Sequence, residues 1–128
     1  MARIVLIVTN NYDLDVECTD IKCQKFDDLK VGTVIPAGGV GIFESSTNDR
    51  VFCTFEQVRP GAGFWQLGMT CPKSSSNSAQ GSFRAGLQKY RRRGTPVTFE
   101  YVLGQPNRAD WDNGRQDKGE NVPYGHCS

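Results

Sequence analysis

Lys89-Tyr90-Arg91-Arg92-Arg93 is the densest chemistry in the sequence, four cations around one aromatic ring. Such a run can hold phosphate oxygens of nucleic acid or of anionic lipid headgroups. It can equally be the basic end of a helix, where cations complement the backbone dipole. The formal net charge is only +1, and aromatics that could stack on bases are not interleaved elsewhere. Nucleic acid is therefore not the expected partner. Trp111 stands among Asp110, Asp112 and Asn113, where no apolar period claims it. Its ring is either exposed, as suits a bilayer interface or a sugar face, or folded back onto the domain.

Covalent chemistry has little to work with. His126 is the only histidine and lies next to the C-terminal end, so a Ser–His or Cys–His pair would rest on it alone. No P-loop, HExxH or dinucleotide fingerprint occurs. Gly38-Gly39-Val40-Gly41 is glycine-rich but opens no helix, so it reads as a turn. Two carboxylates suffice for glycoside hydrolysis. Asp13, Asp15, Glu17, Asp20, Asp27 and Asp28, however, crowd one region and read as a solvated acidic face. Asp110-Trp111-Asp112-Asn113-Gly114 lacks the spacing and closing Glu of a calcium loop. Five cysteines (Cys18, Cys23, Cys53, Cys71, Cys127) include no C-x2-C pair, which disfavours zinc. They are expected as reduced, mostly buried thiols; a single disulfide, Cys18–Cys23, is the alternative. The expectation is a binding protein with no catalytic residue, metal or cofactor.

The elements that must position these groups are strands. At 128 residues the chain fits one domain with one core. Arg3–Thr9 is apolar on both faces, as in a strand covered twice. Its apolar run is too short for a signal peptide, so synthesis in the cytoplasm is expected, with any export non-classical. No stretch approaches the roughly 20 apolar residues of a membrane span. Val16–Phe26 alternates, then resumes out of phase, which predicts a bulge. Gly32–Ile35, Val40–Glu44, Val51–Val58, Phe64–Thr70 and Val97–Leu103 complete the set, with Trp65 in the core. Ser82–Arg93 is expected as a helix, capped by Ser82 and stopped by Gly94 and Pro96, with a strand as the competing assignment. These signals predict an all-β, single-domain antiparallel β-sandwich with at most one short helix. A polar irregular segment, 104–128, follows.

Several stretches resemble the aegerolysin family. Thr54-Phe55-Glu56-Gln57-Val58, an apolar strand into Cys71-Pro72, and a Ser-rich loop with Asn77 are similar to its Thr-Phe-Asp-Leu-Val, strand, Asp-Cys-Pro-Trp and Ser/Asn loop. Gly32-Thr33-Val34-Ile35 resembles its Gly-Thr-Val-Ile, and the chain length and closing Tyr124-Gly125-His126 are similar to the small component of binary insecticidal toxins. Lys73 stands where the family has Trp after Cys-Pro, and Phe52-Cys53 replaces the usual Gly before Thr-Phe. The resemblance implies a β-sandwich that recognises membrane lipids and recruits a larger pore-forming partner. On that reading Tyr12, Trp111 and Tyr124 enter the headgroup layer, Lys89, Arg91, Arg92 and Arg93 meet lipid phosphates, and the protein is a monomer or weak homo-oligomer. A carbohydrate-binding module, with Trp111 stacked on a sugar ring, is the alternative; a small carboxylate hydrolase comes third.

Overall fold

Ile4, Leu6 and Val8 alternate with Val5, Ile7 and Thr9, and this two-residue period makes the first strand, β1 (Ile4–Asn10). The first three are fully buried, the others half-buried. The structure, a computed structural model, describes residues 4–46, 50–58, 64–70, 80–84, 87–93, 97–104 and 127. After β1 come β2 (Val16–Lys22), β3 (Val34–Ile35), β4 (Val40–Ser45), β5 (Arg50–Gln57), β6 (Phe64–Thr70), β7 (Gln80–Arg84), β8 (Leu87–Arg93) and β9 (Val97–Leu103).

Two sheets pack together, ordered β4-β1-β9-β8 and β3-β2-β5-β6-β7. The fold is all-β and sandwich-like, as the strand periods predict. One pairing departs from the antiparallel expectation: β1 and β9 run parallel, from Ile4 opposite Val97 to Asn10 opposite Leu103. A parallel pair needs a long crossover. The first and last of these strands have one, because the chain between them builds the whole second sheet.

The helix expected over 82–93 is corrected to two strands, β7 and β8. Gly86 between them is a poor helix residue. Ladder pairing decides the matter: β7 sits beside β6 with Phe83 opposite Leu67, and β8 beside β9 with Tyr90 opposite Tyr101. A helix there would leave both apolar strands with open edges. The predicted bulge lies between Cys18 and Asp20, where the β2–β5 register shifts.

Phe43, Phe99, Tyr101 and Leu103 join the inner residues of β1 against Val16, Cys18, Val51, Cys53, Phe55, Trp65, Leu67 and Met69 of the other sheet. Each large apolar side chain buried this way contributes about 1.5–3 kcal/mol. The Tyr101 hydroxyl crosses the interface and donates to the Gly68 carbonyl at 2.7 Å. Tyr101→Phe leaves that carbonyl without the bond and should cost about 1–2 kcal/mol in urea unfolding; an unchanged midpoint would refute the tie.

Phe26 and Leu29 plug one side of the core from the loop after β2. That loop also seals the free edge of β4. Asp27 N–H donates to Glu44 O (2.8 Å), Glu44 N–H to Asp28 Oδ1 (3.0 Å) and Ser45 Oγ to Lys25 O (2.7 Å). Cys18 and Cys53 are buried free thiols, as expected. Cys23 is not: it forms a disulfide with Cys127 across 104 residues of chain, with Cα atoms 5.2 Å apart. This corrects both the all-reduced expectation and the Cys18–Cys23 alternative. Cys18 faces the core in phase with Val16, ahead of the bulge, while Cys23 lies beyond the end of β2. Cys71 lies outside the described residues.

Candidate membrane-binding face

The outward positions of the four-stranded sheet form the candidate site. On β4, Val40 and Ile42 are 58% and 60% exposed. On β1, Val5, Ile7 and Thr9 are half-buried, and on β9 so are Thr98, Glu100 and Val102. Register sets them in rows: Val40, Thr9 and Val102; Ile42, Ile7 and Glu100; Glu44, Val5 and Thr98. Single exposed aliphatics are ordinary on protein surfaces. Here five of them (Val5, Ile7, Val40, Ile42, Val102) fall on one face of three adjacent strands.

Strand β8 extends those rows with charge. Lys89 stands opposite Val102, Arg91 opposite Glu100 and Arg93 opposite Thr98. Cross-strand partners share a face of the sheet, so these three cations occupy the same rows as the aliphatics. Arg92 and Tyr90 stand opposite Phe99 and Tyr101, in the alternate rows. Strand periodicity thus splits the basic run, three cations to the outward rows and one to the other. Three inter-strand steps of about 4.8 Å put β4 and β8 about 14 Å apart. By register, Val40 and Ile42 lie on one edge strand of this sheet and the positions of Lys89, Arg91 and Arg93 on the other.

Tyr12 does not stand free as the reading of it as a membrane aromatic requires. It is half-buried on the loop after β1, with its ring edge-on to Trp65 at 5.9 Å between centroids and 66° between planes. Asn10 fixes that loop: its Nδ2 donates to Leu14 O (2.9 Å) and Ile35 O (3.1 Å), and its Oδ1 accepts from Tyr12 N–H (3.0 Å). Tyr12 thus packs against the core cluster to which Trp65 belongs. Trp65 itself is fully buried, as its strand period predicts. Trp111, Tyr124, His126, Asp110 and Asp112 lie outside the described residues.

Three of the acidic residues make local contacts. Asp15 Oδ1 accepts from Ala37 N–H (3.0 Å), Asp20 faces Lys22 (3.9 Å) and Glu56 Oε2 accepts from Thr19 Oγ1 (2.6 Å). Among the described residues, no three His, Cys, Asp or Glu gather where they could hold a metal ion. The glycine cluster is a turn, closed by Gly39 N–H to Pro36 O at 2.8 Å with Gly38 at φ 76°.

One buried polar feature escaped sequence reasoning. Gln57 is 6% exposed, and neither its amide oxygen nor its nitrogen has a hydrogen-bond partner among the described residues. A buried unpaired amide costs about 1–3 kcal/mol. Gln57→Leu should therefore raise stability, by about 1 kcal/mol, read as a higher thermal midpoint. A lower midpoint would contradict the unpaired assignment. The aliphatic row was half-legible: β1 reads as apolar on both faces, but nothing local says that Val5 and Ile7 on its outer side are only half-buried. No protein-family model matches the chain, and no characterised protein does.

Proposed function

We propose that this protein binds membrane-lipid headgroups, as the small, aegerolysin-type component of a cytolytic or insecticidal pair. One observation carries the reading: aliphatic and cationic positions share the outward rows of a single four-stranded sheet. A surface of this kind suits a water–lipid boundary. The aliphatics enter the acyl–headgroup border while the cations meet phosphates, each worth about 1 kcal/mol at an anionic surface. No helix among the described residues is long and apolar enough to cross a membrane. In this proposal the pore is made by a larger partner, and the chain itself performs no covalent chemistry.

Flotation with liposomes of phosphatidylcholine, with and without phosphatidylserine, tests it. The protein should float with the anionic liposomes at low salt and be released as salt rises, because screening weakens the phosphate contacts. Binding to a glycan array with no flotation on either liposome would replace this reading with the carbohydrate-binding one.

A further inference from the structure

Two kinds of cysteine stand among the described residues. Cys18 and Cys53 are buried in the core. Burial pushes the Cys18 thiol up to about 11, and Cys53, more deeply enclosed, is raised well above its ordinary value for the same reason. Burial thus disfavours, in both, the thiolate that exchange chemistry needs. Cys23 and Cys127 differ in every respect. Cys127 is exposed and Cys23 half-buried. Cys23 is also the one non-glycine residue at positive φ among those described, at 76°. It centres a tight turn in which Gln24 N–H donates to Lys22 O at 3.0 Å. A three-residue turn with a side chain at positive φ is strained.

We infer that the Cys23–Cys127 bridge is a thiol–disulfide exchange site, opened by a dithiol in the folded protein, that sets whether the chain after Gly104 is held at both ends or at one. A thiolate of the dithiol attacks the exposed Cys127 sulfur, the S–S bond breaks, and Cys23 leaves as a thiolate that takes up a proton. The second thiol of the reductant then attacks its own sulfur in the mixed disulfide. The Cys127 thiol is released and the reductant is oxidised to a disulfide, two electrons having passed to the protein. Leu103 remains anchored in the centre of its sheet throughout, beside β1 and β8. Reduction then removes the second of the two described attachments, at Leu103 and at Cys127, that flank residues 105–126.

The test uses the whole chain in its oxidised form, with dithiothreitol as the dithiol and iodoacetamide as the trap, without denaturant. Reduction should add two alkylated thiols, at Cys23 and Cys127, with Cys18 and Cys53 unlabelled. Tryptic cleavage at Arg108, Arg115 and Lys118 should accelerate by roughly tenfold or more, as expected when a segment loses one of two anchors, while 4–103 stays intact. Cys127→Ser should show the faster cleavage without dithiothreitol and no further change with it. Labelling that requires denaturant, labelling of Cys18 and Cys53 at the same time, or an unchanged cleavage rate would each overturn the inference. Liposome flotation is not among the readouts, so failure here leaves the lipid-binding proposal standing, and the reverse.

Discussion

Replacing both Cys23 and Cys127 by serine should lower stability by about 4–5 kcal/mol and the thermal midpoint by roughly 15 °C. The bridge closes a loop of 104 residues. In the chain-entropy account, a cross-link over about 100 residues removes close to 4.7 kcal/mol of freedom from the unfolded chain. The effect belongs to the loop and not to either side chain. The single variant Cys127→Ser should therefore lose nearly as much as the double one, a non-additivity that separate local contacts would not produce. Domains of this size are stable by only about 5–15 kcal/mol, so the variants should fold but melt early. Calorimetry without reductant reads the shift directly. A fall of less than about 3 °C would mean that the unfolded chain gains little freedom when the bridge is absent.

Local patterns carried most of the architecture. The period of Val97–Leu103 is legible because Phe99, Tyr101 and Leu103 face the core while Thr98, Glu100 and Val102 do not. The phase break between Cys18 and Ile21 marks the bulge for the same reason, since one extra residue flips every later side chain. What was not legible depends on partners distant in sequence. Phe83, Leu87 and Tyr90 have helical spacing, yet β6 and β9 present ladders that only strands can complete. The parallel β1–β9 pairing and the Cys23–Cys127 bridge join the two ends of the chain, and no local signal encodes either. The candidate face was missed for a related reason. The cations were visible as a run, but their division into rows needs a strand, and their alignment with Val40 and Ile42 needs the order of the sheet. Tyr12 reads as exposed from its polar stretch, whereas the structure half-buries it with its ring edge-on to Trp65.

That division into rows makes the sharpest prediction about function. Changing Lys89, Arg91 and Arg93 together to glutamine removes the three cations whose register positions lie beside the aliphatics. At about 1 kcal/mol each, affinity for phosphatidylserine-containing liposomes should fall by about 3 kcal/mol, or roughly 150-fold. Arg92→Gln removes the same unit of charge from the alternate row and should weaken binding by less than about fivefold, because it loses only the long-range share of the attraction. If charge alone governed binding, each substitution would count equally and Arg92 could not be told from Arg91. Ile42→Ser supplies the apolar half of the comparison. It should weaken binding at all salt concentrations, whereas the triple variant should lose its deficit as salt rises, since screening acts on phosphate contacts and not on buried hydrocarbon. Equal losses for Arg91→Gln and Arg92→Gln, or an Ile42→Ser protein that floats as well as the parent, would remove this sheet face from the mechanism and return the search to surfaces elsewhere on the molecule.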